Sequence, residues 1–368
     1  MKTLPKTLLI LFTTMFFATM RCQYRLAAGL YDGTIIILNT LNGKILHKWK
    51  AHNKRVKSVI FSPDGKKLIS NTTKAIKVWD PKTRKLLKTV KPKTKNLIFS
   101  LALSPDCKTI AIGMSSGTIE ILDFASGNLL RTLKGPAYER DFFKSLAFSP
   151  NGETLVAGER EGGEIAIWNV TNGNLIRKIR WINEYQPIYS LAFSPDGKTF
   201  ASASAYDTPN GPGIIDIWDL SGKRQCSTIL DYDFRHFFSI AFSPCGKSLL
   251  SGGASLKNEK FSVCEWDPKT NNLIRRLKGQ KKVVYSVAFS PDGKLIACGS
   301  IGSSPRKNIE KRIKIWDHET GKLLNEIATK SGVYSVTLGQ LKKTWLKPRG
   351  QKIKKEDFEK RLQHVLEL

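Results

Sequence analysis

Phe61-Ser-Pro-Asp-Gly65 is the stretch on which the reading of this chain turns, because it recurs. Leu103-Ser-Pro-Asp-Cys107, Phe148-Ser-Pro-Asn-Gly152, Phe193-Ser-Pro-Asp-Gly197, Phe242-Ser-Pro-Cys-Gly246 and Phe289-Ser-Pro-Asp-Gly293 follow it at intervals of 42, 45, 45, 49 and 47 residues. Proline presets the φ that a tight turn needs, and glycine accepts the positive φ at its end. A period of this length marks an array in which each copy is one supersecondary unit.

Outward from the turn, a second phrase keeps nearly the same spacing: Val78-Trp-Asp80, Ile121-Leu-Asp123, Ile167-Trp-Asn169, Ile217-Trp-Asp219, Glu265-Trp-Asp267 and Ile315-Trp-Asp317. A seventh copy, Ile37-Leu-Asn39, precedes the first Ser-Pro. Behind each comes a turn such as Thr320-Gly321-Lys322 and then another β-prone run. Period-two alternation between turn signals predicts antiparallel strands, four to a unit. The first unit shows only three, at Tyr24–Leu30, residues 34–38 and residues 44–49. Its missing inner strand is predicted at residues 333–338, Val-Tyr-Ser-Val-Thr-Leu, which copy Val284-Tyr-Ser-Val-Ala-Phe289. The expectation is an all-β ring of seven four-stranded blades, closed by pairing the N-terminal strands with a C-terminal one, which removes an open sheet edge.

In these phrases the chain resembles the WD-repeat family over roughly residues 24–338. The resemblance implies a seven-bladed β-propeller and, most often, a non-catalytic scaffold that binds other proteins. It implies a structural role for Trp79, Trp168, Trp218, Trp266 and Trp316. It also implies a polar network in many blades, from which this sequence departs. Blade two has His52, Ser70 and Trp79, but Lys74 near the expected Asp; blade one has Asp32, but Leu38 in place of Trp. No blade shows the full set, so apolar packing is expected to carry stability.

The same resemblance places the fourth-to-first and second-to-third connections on one face. The second-to-third connections are long in blades five, six and seven, at residues 204–213, 252–260 and 300–311. The fourth-to-first connections bring aromatic and charged residues at 138–140, 181–185 and 232–236. Loops on a rigid scaffold commonly carry function, and exposed aromatics and arginines suit interface hot spots. Tyr138, Arg140, Trp181, Tyr185, Tyr206, Tyr232, Arg235 and Arg306 are the candidate partner-binding residues. Such loops also tolerate neutral insertion.

Charge offers an alternative. The 368 residues carry 60 Lys+Arg against 31 Asp+Glu, a net charge of +29. Residues 42–95 carry +15 and residues 271–368 carry +13, whereas 96–270 carry −2. In a closed ring, blades seven, one and two are neighbours, so the two basic segments merge into one pole. Such a pole attracts polyanions, either nucleic acid or an anionic surface, by counterion release. The candidates are Lys54, Arg55, Lys82, Arg84, Lys85, Lys88, Lys91, Lys93, Lys95, Lys281 and Lys282. The competing reading is that lysines on outer strands protect edges and maintain solubility.

Residues 1–22 form a leader, in which Lys2 and Lys6 precede an apolar run from Leu8 to Met20. It has the character of a signal-peptide core and is too short to cross a membrane, but Met20 and Arg21 stand where small cleavage-site residues are expected. A degenerate inner strand is the other reading, and a cytoplasmic location is favoured over export. The propeller is placed at 23–338. Residues 339–368 form a basic tail, in which Phe358, Leu362, Val365 and Leu366 keep helical spacing. That short amphipathic helix is expected to dock on the propeller rather than on a partner.

No phosphate-cradling glycine loop, zinc-protease motif or nucleophile elbow is present, and the five histidines stand far apart in the repeat. The six cysteines are scattered singly and read as inert thiols rather than disulfides or metal ligands. The expectation is a monomer without cofactor, metal, transmembrane span or catalytic residue.

Overall fold

The structure, a computed structural model, describes residues 24–90, 92, 96–135, 142–160, 162–180, 187–205, 211–225, 228–255, 261–280, 283–301 and 311–340. These form seven four-stranded antiparallel sheets. Blade one has the order β28 (Val333–Gln340), β1 (Tyr24–Leu30), β2 (Thr34–Asn39) and β3 (Ile45–Lys50), so its inner strand comes from the far end of the chain. Register between β1 and β28 runs from Tyr24 opposite Gln340 to Leu30 opposite Val333. Blade two comprises β4 (Ser58–Phe61), β5 (Leu68–Asn71), β6 (Ile76–Trp79) and β7 (Leu86–Val90). The remaining inner strands are β8 (Ile98–Leu103), β12 (Phe143–Phe148), β16 (Ser190–Phe193), β20 (Phe234–Phe242) and β24 (Val283–Phe289). Inner strands touch in the cyclic order β28, β4, β8, β12, β16, β20, β24 and back to β28. The chain is therefore a closed seven-bladed propeller.

Each Ser-Pro turn is built from its own side chains. In blade two, Ser62 donates to Asp64 Oδ1 at 2.6 Å and accepts from Lys67 N at 2.9 Å, while Lys66 N reaches Asp64 at 3.0 Å. Gly65 closes the turn at φ 67°, where a side chain would be strained. Blade three places Cys107 in that left-handed position, at φ 59°. Blade six replaces the aspartate by Cys245, whose Sγ lies 3.4 Å from Ser243 Oγ. The four described cysteines, Cys107, Cys245, Cys264 and Cys298, are free thiols.

The core lies between blades. One cluster joins Ala27, Ile35 and Ile37 of blade one to Val59, Phe61, Leu68 and Trp79 of blade two, and others repeat the arrangement around the ring. Trp79, Trp168, Trp218, Trp266 and Trp316 are all buried. In place of a four-member polar network, a serine of the second strand satisfies the indole. Ser70, Ser202 and Ser251 each accept from Trp79, Trp218 and Trp266 respectively at 2.8 Å. Blade two adds His52, with Nε2 2.8 Å from Ser70 Oγ, so the residues expected to form a partial network do meet.

Several strands run further than the sequence implies. β17 (Thr199–Ala205), β18 (Gly213–Asp219), β21 (Leu249–Ser255), β25 (Leu295–Ile301) and β26 (Lys311–Asp317) absorb the ends of the long connections. Similarly, β19 (Ile229–Asp231) and β20 leave only Tyr232 and Asp233 between them, so Arg235 belongs to a strand.

Candidate functional site

Antiparallel order sends the Ser-Pro and Asp-containing turns to one face and the fourth-to-first and second-to-third connections to the other. On that second face each blade offers one equivalent position, in its inner strand or directly before it, around the central channel. Its occupants are Lys57, Phe99, Lys144, Tyr189, Phe238, Tyr285 and Tyr334, and all seven line a cavity of about 520 Å³. Two lysines and five aromatic rings thus replace one another in a single register.

The rings and cations interlock. Phe99 stacks on Phe142 at 3.5 Å between centroids, Phe238 on Tyr285 at 4.7 Å, and Tyr189 meets Phe238 edge-on at 5.0 Å. Lys57 Nζ stands 4.1 Å from the Phe99 centroid and donates to Ile98 O at 3.2 Å. Lys144 Nζ stands 3.6 Å from the Tyr189 centroid, and the Arg160 guanidinium lies 5.2 Å from that of Phe142. Arg55 lies over Tyr334 at 4.6 Å and donates to its hydroxyl at 2.8 Å. Aromatic faces attract cations through their quadrupole, so each positive group is held in place. Burial, assisted by Arg55, lowers the Lys57 ammonium to about 8. Burial, assisted by Arg160 and Lys57, does the same to Lys144, also to about 8. No carboxylate is among the described residues lining this cavity.

Directly after each of these positions comes a serine: Ser58, Ser100, Ser145, Ser190, Ser239, Ser286 and Ser335. Five of them stitch blade to blade. Ser335 accepts from Val59 N, Ser286 from Val336 N, Ser239 from Val287 N, Ser190 from Ile240 N and Ser145 from Leu191 N, at 2.9–3.1 Å. Ser100 instead donates to Phe143 O at 2.7 Å. The channel wall is thereby a hydrogen-bonded hoop, which fixes the rings and lysines on a rigid support. The readings from sequence did not isolate this position. Its signal was present as a serine four residues before each serine of the Ser-Pro turns.

The basic candidates divide. Lys54 and Arg55 stand on the cavity face, immediately before β4, whereas Lys82, Arg84 and Lys85 occupy the turn between β6 and β7 on the opposite face. Lys88 lies on outer strand β7 and donates to Ala125 O at 2.8 Å. Tyr232 is exposed on the cavity face and Arg235 is exposed at the start of β20. Lys91, Lys93, Lys95, Lys281 and Lys282 lie outside the described residues, as do Tyr138, Arg140, Trp181, Tyr185, Tyr206 and Arg306 and the two chain ends. Among the described residues, no group of three or more His, Cys, Asp or Glu could hold a metal ion, and no helix is long and apolar enough to cross a membrane.

Three family models match parts of the sequence. The model for WD domain, G-beta repeat matches residues 43–80 and 127–169, and the anaphase-promoting complex subunit 4 WD40 domain matches residues 64–139. The model for eukaryotic translation initiation factor eIF2A matches residues 182–336. Similar curated proteins include a periodic tryptophan protein 2 homolog from Dictyostelium discoideum, 24% identical over 60% of this chain and 22% of that protein. Pre-mRNA-processing factor 19 from Oryza sativa subsp. japonica is 24% identical over 76% of this chain and 52% of its own length. A WD repeat-containing protein WDS homolog from Arabidopsis thaliana is 26% identical over 72% and 49%. The chain spans from about a fifth to about half of the length of these relatives.

Proposed function

The chain is a WD-repeat propeller, and from that premise we propose that it serves as a non-catalytic scaffold whose channel-mouth face docks a protein partner. The observation that carries the reading is the register of Lys57, Phe99, Lys144, Tyr189, Phe238, Tyr285 and Tyr334 around one cavity. Large aromatic side chains beside desolvated cations, on a hydrogen-bonded support, are what binding hot spots are made of. Tyr232 and Arg235, with the loop residues Tyr138, Arg140, Trp181, Tyr185, Tyr206 and Arg306, extend this face in the proposal. Cross-linking capture from native extract tests it, comparing the unmodified chain with a Phe238→Ala/Tyr285→Ala variant and a Lys82→Ala/Lys85→Ala control. Partners retained by the control and lost with the mouth variant support the reading. Partners insensitive to the mouth variant would refute it.

A second reading keeps the opposite face for polyanions. Lys82, Arg84 and Lys85 are exposed there on one turn. Similarity to a translation initiation factor family model and to a pre-mRNA-processing factor supports an RNA-containing setting. Charge reversal at Lys82, Arg84 and Lys85 should weaken binding of a fluorescent oligonucleotide and flatten its salt dependence. Partners docked at the mouth should remain attached. Loss of both or of neither would overturn this division between faces.

A further inference from the structure

Lys57 and Lys144 belong to blades two and four, yet their ammonium groups serve the same cavity, with Arg55 and Arg160 beside them. Four cations that share a small space repel one another, and burial of Lys57 and Lys144 removes much of the water that would otherwise screen those two. Ring faces compensate this only in part, since cation–π attraction is modest. An anion entering the cavity would relieve the repulsion and replace the lost hydration. Resting on the reading of the mouth as a docking face, we infer that the site accepts an acidic segment of the partner protein, with a carboxylate seated between Lys57 and Lys144.

Two observations select a peptide over a nucleic acid. A cavity of about 520 Å³ admits one or two side chains of an extended segment, but it is far too small for a duplex. Single-stranded nucleic acid is bound by open aromatic faces on which bases stack. Here those faces are turned to other rings or to cations: Phe238 on Tyr285 at an interplanar angle of 7°, Phe99 on Phe142 at 23°, and Lys144 above Tyr189. What remains accessible is positive charge among serines and ring edges, complementary to a carboxylate on a short aliphatic stem.

The ammonium groups near 8 give the site a pH signature. An anion favours the charged lysines, so affinity is full below pH 8 and falls as pH rises through it, by about tenfold per lysine at pH 9. Arginine in the same places would stay charged throughout.

The test is fluorescence anisotropy of the full chain with a labelled octaglutamate peptide, with octaglutamine and labelled octathymidylate as comparison probes. Octaglutamate should bind and octaglutamine should not. Lys57→Met/Lys144→Met should weaken octaglutamate binding at least tenfold, while Lys82→Met/Lys85→Met should leave it within about twofold. Lys57→Arg/Lys144→Arg should retain binding at pH 7 and lose the decline towards pH 9, which separates lost charge from lost fold. Equal binding of the two peptides, or octaglutamate affinity indifferent to Lys57 and Lys144 or flat between pH 7 and 9, would overturn the inference. Tighter octathymidylate binding that depends on the two lysines would do so as well, by assigning the mouth to nucleic acid. If protein partners still require Phe238 and Tyr285 while octaglutamate fails to bind, the docking face stands and only its acidic occupant falls.

Discussion

Replacing His52 by Gln should remove about 2 kcal/mol of acid sensitivity from the propeller. His52 is 4% exposed, and burial, with Lys77 nearby, lowers its imidazole from 6.5 to about 4. Ser70 accepts from the Trp79 indole and has its own proton available for His52 Nε2, an arrangement that suits the neutral ring. Because the folded value lies below the unfolded one, protons bind preferentially to the unfolded chain. The stability contributed by neutral His52 is therefore complete above pH 6.5 and declines as the pH falls below it, levelling off near pH 4. Between pH 7.5 and pH 5.0 linkage gives a loss of about 2 kcal/mol. Gln offers an amide to Ser70 without titrating. Urea unfolding of both proteins at the two pH values, followed by tryptophan fluorescence, isolates the difference, because all other titrating groups are shared. The unmodified chain should lose about 2 kcal/mol more than His52→Gln. Equal losses would refute the assignment of a buried neutral imidazole.

Ser190→Ala should cost about 1–3 kcal/mol in the same assay at pH 7.5, because Ile240 N–H loses its acceptor inside the channel wall. Cys107→Gly should stabilise by about 1 kcal/mol, since it relieves a side chain held at φ 59° where most sister turns have glycine; a neutral or negative shift in the urea midpoint would count against strain there. At the junction of blades six and seven, burial would raise the Glu265 carboxyl, but hydrogen bonds from His318 and Arg275 outweigh it and hold it below its usual range. His318 Nε2 and Arg275 Nε each approach Glu265 to 2.7 Å. Its contribution is therefore present above about pH 4.5 and lost as pH falls through the folded value. Glu265→Gln should cost about 2–3 kcal/mol at neutral pH and flatten the stability profile below pH 4.5.

The architecture was legible because its determinants are local and repeated. A Ser-Pro-Asp-Gly turn and a Trp-Asp strand end announce themselves within a few residues, and the missing strand of blade one could be matched to its sister at Val284. The mouth was not legible in the same way. Lys57 and Lys144 are ordinary lysines in the linear chain, and only ring closure brings them to one cavity. The serine hoop was hidden for a related reason, since Ser190 acts on a backbone group some fifty residues away, at Ile240. Charge density along the chain grouped Lys54 with Lys82, but antiparallel strands carry the first to one face and the second to the other. The tryptophans could be picked out, yet their direct bonds to Ser202 and Ser251 depend on register between neighbouring strands. Residue types alone do not specify that register.

The pairing of β1 with β28 also sets a schedule. Tyr24 is synthesised more than three hundred residues before its partner Gln340, the last residue of the ring. At typical elongation rates of about 5–20 residues per second, β1 waits roughly 15–60 s for its neighbour. Throughout that interval a buried, almost wholly apolar strand offers its free edge to any extended chain nearby. The clasp that seals the finished ring is thus the point at which a nascent chain is most open to joining with another copy of itself.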